Sequence, residues 1–346
     1  MNQVVANQSI SADTHTAPQG RPTTLTRLVL SNEFGLAILL ILTFLIFANT
    51  LQGYSSTFSL FTIGRQIGIN TMIGLAMMAV IVTGGLDLSV GAIGACTAMF
   101  FGYLAQAMGL PLIFAIPLAI VFGAGLGFIN GMAVVKSGVH SFIITLASMS
   151  IFFGLMIFLT KAQSFNQLPP EVQSFGKSKI GGMVSPLLLI SIVMCAVLSV
   201  FYRFTTLGRS MLAAGANPKA AELSGIRTAR IIAACHVLTG GLAALAGLML
   251  TSRTGAAIPS MAGQLGQDWL LPAFLAPVLG GTLLAGGRVS VVGTFLGAAF
   301  VQIMTSGLFL MRIGEFWILA CLGVMLLLAV LTDKARQTIL RSRGMV

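Results

Sequence analysis

Ionic side chains are scarce in this sequence. Of 346 residues, 8% are Asp, Glu, Lys or Arg, about a third of the roughly 25% usual in soluble domains. Too few charges remain to cover one or two water-soluble domains of this length, which excludes an ordinary soluble enzyme. The four cysteines, Cys96, Cys195, Cys235 and Cys321, lie in apolar stretches without a Cys-x-x-Cys pair, so neither a disulfide framework nor a zinc site is expected. No Gly-x-x-x-x-Gly-Lys-Ser/Thr run occurs; without a phosphate-binding loop, any ATP-driven work needs a partner. The absence of a Gly-x-Ser-x-Gly elbow, a His-Glu-x-x-His pair and a close acid pair removes the hydrolase and metalloprotease classes. Residues 1–32 are rich in Ser, Thr, Gln and Asn and lack an apolar signal-peptide core; they read as a disordered cytoplasmic tail.

Apolar residues make up 56% of the chain, with 40 Gly, 18 Met and 23 Phe, and mean hydropathy is +0.98. This composition suits helices packed against one another in lipid, and the expected fold class is an all-α polytopic membrane protein. A bilayer core takes about 20 apolar residues per helix. Ten segments qualify: 34–51, 67–83, 88–108, 111–135, 142–160, 184–202, 231–252, 269–284, 289–311 and 316–332. They define a transmembrane domain over 33–332, followed by a basic cytoplasmic tail over 333–346. The second and third segments are separated only by Gly84-Gly85-Leu86-Asp87, and the eighth carries Pro272 and Pro277. Interrupted or re-entrant helices are expected there.

The net charge of +11 is spread between apolar runs instead of forming an aromatic-studded patch, so it reads as a topology signal and not as a nucleic-acid surface. With the N-terminus inside, 13 of the 19 Lys and Arg fall on the cytoplasmic side. Both termini and the loop 203–230 are therefore expected in the cytoplasm.

That loop has explicit local chemistry. Asn217 suits a helix N-cap, Pro218 the first helical position and Gly225 the left-handed residue after the last turn. The spacing predicts a helix over 218–224 that exposes Ala220, Ala221 and Leu223 beside Lys219 and Glu222. So short a helix is marginal alone and needs the membrane domain or a partner to hold it.

Gly208, Ala213-Ala214-Gly215-x-Asn217, Ala220-Ala221 and Leu223-Ser224-Gly225-Ile226 resemble the cytoplasmic loop of permease subunits of bacterial ABC importers for ribose and related sugars. The runs Gly84-Gly85-Leu86-Asp87-Leu88-Ser89-Val90-Gly91, Phe142-Ile143-Ile144-Thr145-Leu146 and Gly280-Gly281-Thr282-Leu283, with Gly286-Gly287 and Gly293-Thr294, agree with the same family. The resemblance spans roughly 66–331. It implies a permease of about ten helices in the bacterial inner membrane, paired with a second permease copy or paralogue. Two ABC ATPase subunits would drive it, and a periplasmic solute-binding protein would load it. ATP and Mg would be used by the ATPase, leaving no cofactor in this chain. The coupling residues implied are Ala214, Gly215, Asn217, Ala220, Ala221, Glu222 and Gly225; the competing reading is a solvated loop with a capped turn. Departures occur at Gly266-Gln267-Asp268-Trp269, where relatives often carry a glutamate, and at Arg288-Val289 after Gly287. They bear on substrate identity.

A passage for a sugar needs amides and hydroxyls and few fixed charges. Candidates are Asn70, Asp87, Asn130, Thr145 and Gln302. Asp87 either touches substrate or caps the amides of Leu88, Ser89 and Val90 at the start of the third segment. Asn130 lies in Gly123-x-Gly125-x-Gly127-x-x-Asn130-Gly131, a spacing that also suits helix packing. His236 reads as a core histidine. Nucleosides, branched-chain amino acids and a signalling sugar remain rival cargoes, and a stand-alone secondary transporter is the rival class. Scarce charges within the segments argue against both an amino acid cargo and a proton relay.

Overall fold

The computed structural model describes residues 32–342, with side chains over 33–331. The expected N-terminal tail, apart from Asn32, and residues 343–346 lie outside the described residues. Helices follow in the order α1 (Asn32–Thr50), α2 (Thr57–Ile81), α3 (Val90–Gly102, extended by a π-turn Tyr103–Ala107), α4 (Leu112–Ser137), α5 (Ser141–Thr160) and α6 (Pro170–Lys177). Then come α7 (Pro186–Phe204), α8 (Thr206–Ala216), α9 (Pro218–Leu223), α10 (Thr228–Thr254), a 3-10 turn (Gln264–Trp269), α11 (Leu270–Leu279), α12 (Val291–Leu310) and α13 (Glu315–Ser342). Among the described residues, eight helices are long and apolar enough to cross a membrane, and α13 is apolar over Glu315–Leu331. The only β pairing there is isolated bridges such as Phe165 with Ala257.

Sequence chemistry sets many of the ends. Ser56, Ser185 and Ser290 accept hydrogen bonds from Ser59, Leu187 and Gly293 amides at the starts of α2, α7 and α12, and Pro186 occupies the first turn of α7. Helix α2 is the inner post: 83% of its most apolar window is buried, against 11% for α1 and 22% for α4 and α7. Peripheral helices thus present apolar faces outward, as lipid or a neighbouring subunit requires. Helix α4 meets α10 along glycine. A methyl group at Gly127 would overlap the His236 carbonyl, and one at Gly240 the Gly123 carbonyl, whereas Gly125 faces open space. The glycine run is therefore a close-packing seam, and His236 is a buried residue beside it, its Nδ1 3.0 Å from the Ile232 carbonyl.

Several boundaries differ from expectation. Helix α2 begins at Thr57, not at 67, so Arg65 and Gln66 lie within it instead of in an outer loop. The arginine is tolerated because its guanidinium rests 5.3 Å from the Phe61 ring centroid. Arg253 likewise falls inside α10, where it donates to Gln66 Oε1. The eighth segment is a ten-residue α11 entered through a 3-10 turn, and it stops at Leu279. Helix α13 runs past 332 to Ser342. The break between the second and third segments is present: residues 82–89 are non-helical.

Candidate coupling hairpin and interior strap

Contacts sort the connections into two ends. At one end the Gly287 amide donates to the Val82 carbonyl at 2.9 Å, Ser141 meets Leu86 and Ser290 meets Glu33. At the other end Phe165 pairs with Ala257, and Ser252 donates to the Val172 carbonyl at 2.7 Å. The α8–α9 hairpin belongs to the first end.

Thr205 Oγ1 accepts from the Gly208 amide (3.0 Å) to start α8, and Asn217 Oδ1 accepts from the Ala220 amide (3.1 Å) to start α9. Helix α9 closes through Ser224, and the chain turns at Gly225 with φ +83°, a backbone state that favours glycine. The Ile226 amide then returns to the Ala221 carbonyl at 3.0 Å, and the Thr228 hydroxyl donates to Glu222. One expectation is corrected: Ala221 is buried, not exposed, because α9 turns that side onto the apolar cluster holding Met211 and Ala214. Gly215 is also buried. The outward face consists of Asn217, Lys219, Ala220, Glu222, Leu223 and Gly225, with Leu223 88% exposed.

Behind the hairpin, the strap 82–89 is stapled from two sides. Ser141 and Thr145 of α5 accept from the amides of Leu86 (2.9 Å) and Leu88 (3.1 Å). Asn130 of α4 donates to the Ser89 hydroxyl at 2.7 Å. Asp87 is fully buried. Its Oδ1 accepts from both the amide and the hydroxyl of Ser89, while Oδ2 has no partner among the described residues. The expected cap is thus narrower than three amides: the Leu88 amide goes to Thr145, and Asp87 serves Ser89. The strap is deep within the bundle. Asn130 stands seven residues before the end of α4 at Ser137, about 10 Å along the helix axis at 1.5 Å per residue, and Gly266 packs directly on Gly91.

The remaining expected passage residues sit elsewhere. Asn70 donates to Gln302 Oε1 at 3.0 Å, Gln66 donates to Asn70 (3.1 Å) and Gln302 to Ser306 (2.8 Å). With Arg253, this forms a polar chain joining α2, α10 and α12. The five candidates therefore divide into a strap group, Asp87, Asn130 and Thr145, and a polar chain containing Asn70 and Gln302. Two cavities of about 730 Å³ lie apart from both groups. One, between α3, α4 and α5, is lined by Cys96, Phe100, Tyr103, Phe122, Phe152 and Gln163 among others. Sequence reasoning missed the role of Gln66 and of the Arg253 beside it; a polar residue four positions before Asn70 on one helical face is the signal that could have found it.

Among the described residues, a helical bundle with a broken second-to-third segment, a short capped hairpin at one end and interior amides of Gln66, Asn70 and Gln302 bonded in a chain has the architecture of a polytopic membrane protein. Residues 59–330 match the family described as branched-chain amino acid transport system / permease component, and the chain belongs to that family. It is 36% identical over 275 residues to the ribose import permease protein of Bacillus subtilis (strain 168), covering 79% of this chain and 83% of that one. It is 34% identical over 287 residues to the ribose import permease protein of Escherichia coli (strain K12), covering 81% and 86%. Against the fructose import permease protein of Rhizobium meliloti, identity is 31% over 306 residues, covering 86% and 84%. No solved structure matches the chain. The chain is a multi-pass permease subunit of an ABC importer.

Proposed function

We propose that the chain carries a sugar or sugar-like solute inward across the bacterial inner membrane, with both termini and the α8–α9 hairpin in the cytoplasm. The observation that carries the cargo class is the filled start of α3. A helix N-terminus within a membrane bundle is the natural seat for a substrate carboxylate, and here the chain's own Asp87 carboxyl occupies it, accepting from the Ser89 amide. A branched-chain amino acid loses that anchor, whereas an uncharged sugar does not need it; the ribose and fructose relatives support the same choice. Competing uptake of radiolabelled ribose, fructose and leucine by cells expressing the whole importer tests this. Uptake of leucine with neither sugar taken up overturns it.

In this reading a separate ATPase binds ATP and Mg and seats the outward face of α9: Asn217, Ala220, Glu222, Leu223 and Gly225. Ala214, Gly215 and Ala221 hold the hairpin to the membrane domain. The purified chain, lacking a phosphate-binding loop, should show no ATP hydrolysis above a protein-free blank; sustained turnover by the isolated chain overturns the division of labour. A second permease copy or paralogue covers part of the outward apolar surface, and a periplasmic binding protein docks at the end opposite α9. There Lys179 and Arg65 flank the Phe61 ring at 5.2 and 5.3 Å.

Orientation rests on the basic asymmetry of the loops. In a cysteine-free background, an impermeant maleimide on intact spheroplasts should label Lys161→Cys and not Lys219→Cys, both positions being exposed. The reverse pattern inverts the topology.

A further inference from the structure

The coupling hairpin and the strap share a joint without side chains. At the end of α8, a methyl group at Gly215 would overlap the Val82 carbonyl oxygen and stand 2.6 Å from the Gly287 amide nitrogen. Those two groups are hydrogen-bonded to each other at 2.9 Å. From the other side, a methyl at Gly287 would lie 2.6 Å from Ala216 Cα. Backbone therefore meets backbone at three strands of chain: the last turn of α8, the end of α2 and the turn that leads into α12. Close-packed contacts of this kind have no flexible side chain to absorb a displacement, and so they transmit it.

Each strand leads somewhere different. Two residues past Gly215, Asn217 caps α9. Val82 opens the strap, which Ser141 and Thr145 tie to α5 and Asn130 ties to α4 through Ser89. Gly287 leads through Ser290 to α12, which is capped by that serine. We propose that Gly215 is a positioning residue that converts movement of the α8–α9 hairpin into movement of the 82–89 strap and, through Ser141 and Thr145, of α5. This rests on the coupling reading of α9 and assigns Gly215 to the inside of the permease, not to the ATPase contact.

The test uses the full importer in proteoliposomes with its binding protein and sugar. Gly215→Ala should leave the ATPase copurifying and basal hydrolysis within about twofold of wild type, while sugar uptake per ATP falls at least about tenfold. Unchanged uptake per ATP in that variant overturns the joint. Loss of the ATPase from a folded Gly215→Ala permease also overturns it, since Gly215 then acts at the partner contact. Should the variant fail to fold, hydrogen exchange on the wild-type complex decides. Trapping with ATP and vanadate should change exchange in 82–89 together with Pro218–Leu223. A change confined to Pro218–Leu223 leaves coupling by α9 intact and overturns the joint; no change at Pro218–Leu223 overturns the coupling reading itself.

Discussion

Replacing Leu223 with glutamate should leave the permease folded and inserted but free of its ATPase. Leu223 is 88% exposed on α9, so the substitution breaks no packing within the chain, and surface changes away from special features usually stay within about 0.5 kcal/mol. At a protein contact the same carboxylate is buried without a partner, which costs several kcal/mol. At about 1.4 kcal/mol per tenfold, occupancy of the complex falls by orders of magnitude. Size-exclusion elution of the variant should match wild type, while ATPase copurification and uptake disappear. Normal copurification with normal uptake would show that α9 is not the docking element. Sequence alone points this experiment at Ala221, and the structure moves it. Ala221 is buried against Met211 and Ala214, so a charge there would disturb the fold and confuse loss of docking with loss of structure.

The shift of two residues along α9, from Ala221 to Leu223, marks what sequence shows and what it does not. The start of that helix was legible because Asn217, Pro218 and Gly225 carry backbone preferences that act locally. Which face it buries is decided by α8 and α10, and six residues give too little periodicity to read a face. The same division holds elsewhere. The break at Gly84-Gly85 and the glycine seam of α4 follow from residue types and spacing. The N-terminal extension of α2 through Arg65 to Thr57 does not, because a cation resting on the Phe61 ring and an arginine bonded to Gln66 are contacts between turns and between distant helices. Among site residues, Asp87, Asn130 and Thr145 stand out in the sequence as intramembrane polar groups. That Asn130 and Thr145 both bond the backbone or side chains of 88–89 depends on three helices meeting, which pattern reading does not reach. Family resemblance makes Gly215 a coupling residue, and only its packing on Val82 and Gly287 separates a joint from a docking surface.

Asp87 distinguishes a structural carboxylate from one that acts on cargo. Removing it with Asp87→Ala strips the acceptor from both the Ser89 amide and the Ser89 hydroxyl in a fully buried setting. Each buried donor left without a partner costs about 1–3 kcal/mol, a large share of the 5–15 kcal/mol typical of a folded domain. Yield of monodisperse protein and melting temperature in detergent should both drop sharply. Asp87→Asn keeps a carbonyl oxygen in the place of Oδ1 and puts its amide nitrogen where Oδ2 has no partner among the described residues. What it adds is that amide nitrogen as one buried donor group without a partner, about 1–3 kcal/mol, against the two Ser89 donors that Asp87→Ala strands. The expected order of melting temperature is therefore wild type, then Asp87→Asn within a few degrees, then Asp87→Ala far below, with uptake by Asp87→Asn at least half of wild type. An Asp87→Asn protein that melts like wild type yet transports nothing would contradict this, because the carboxylate would then be needed for its charge at the cargo and not for the backbone it holds.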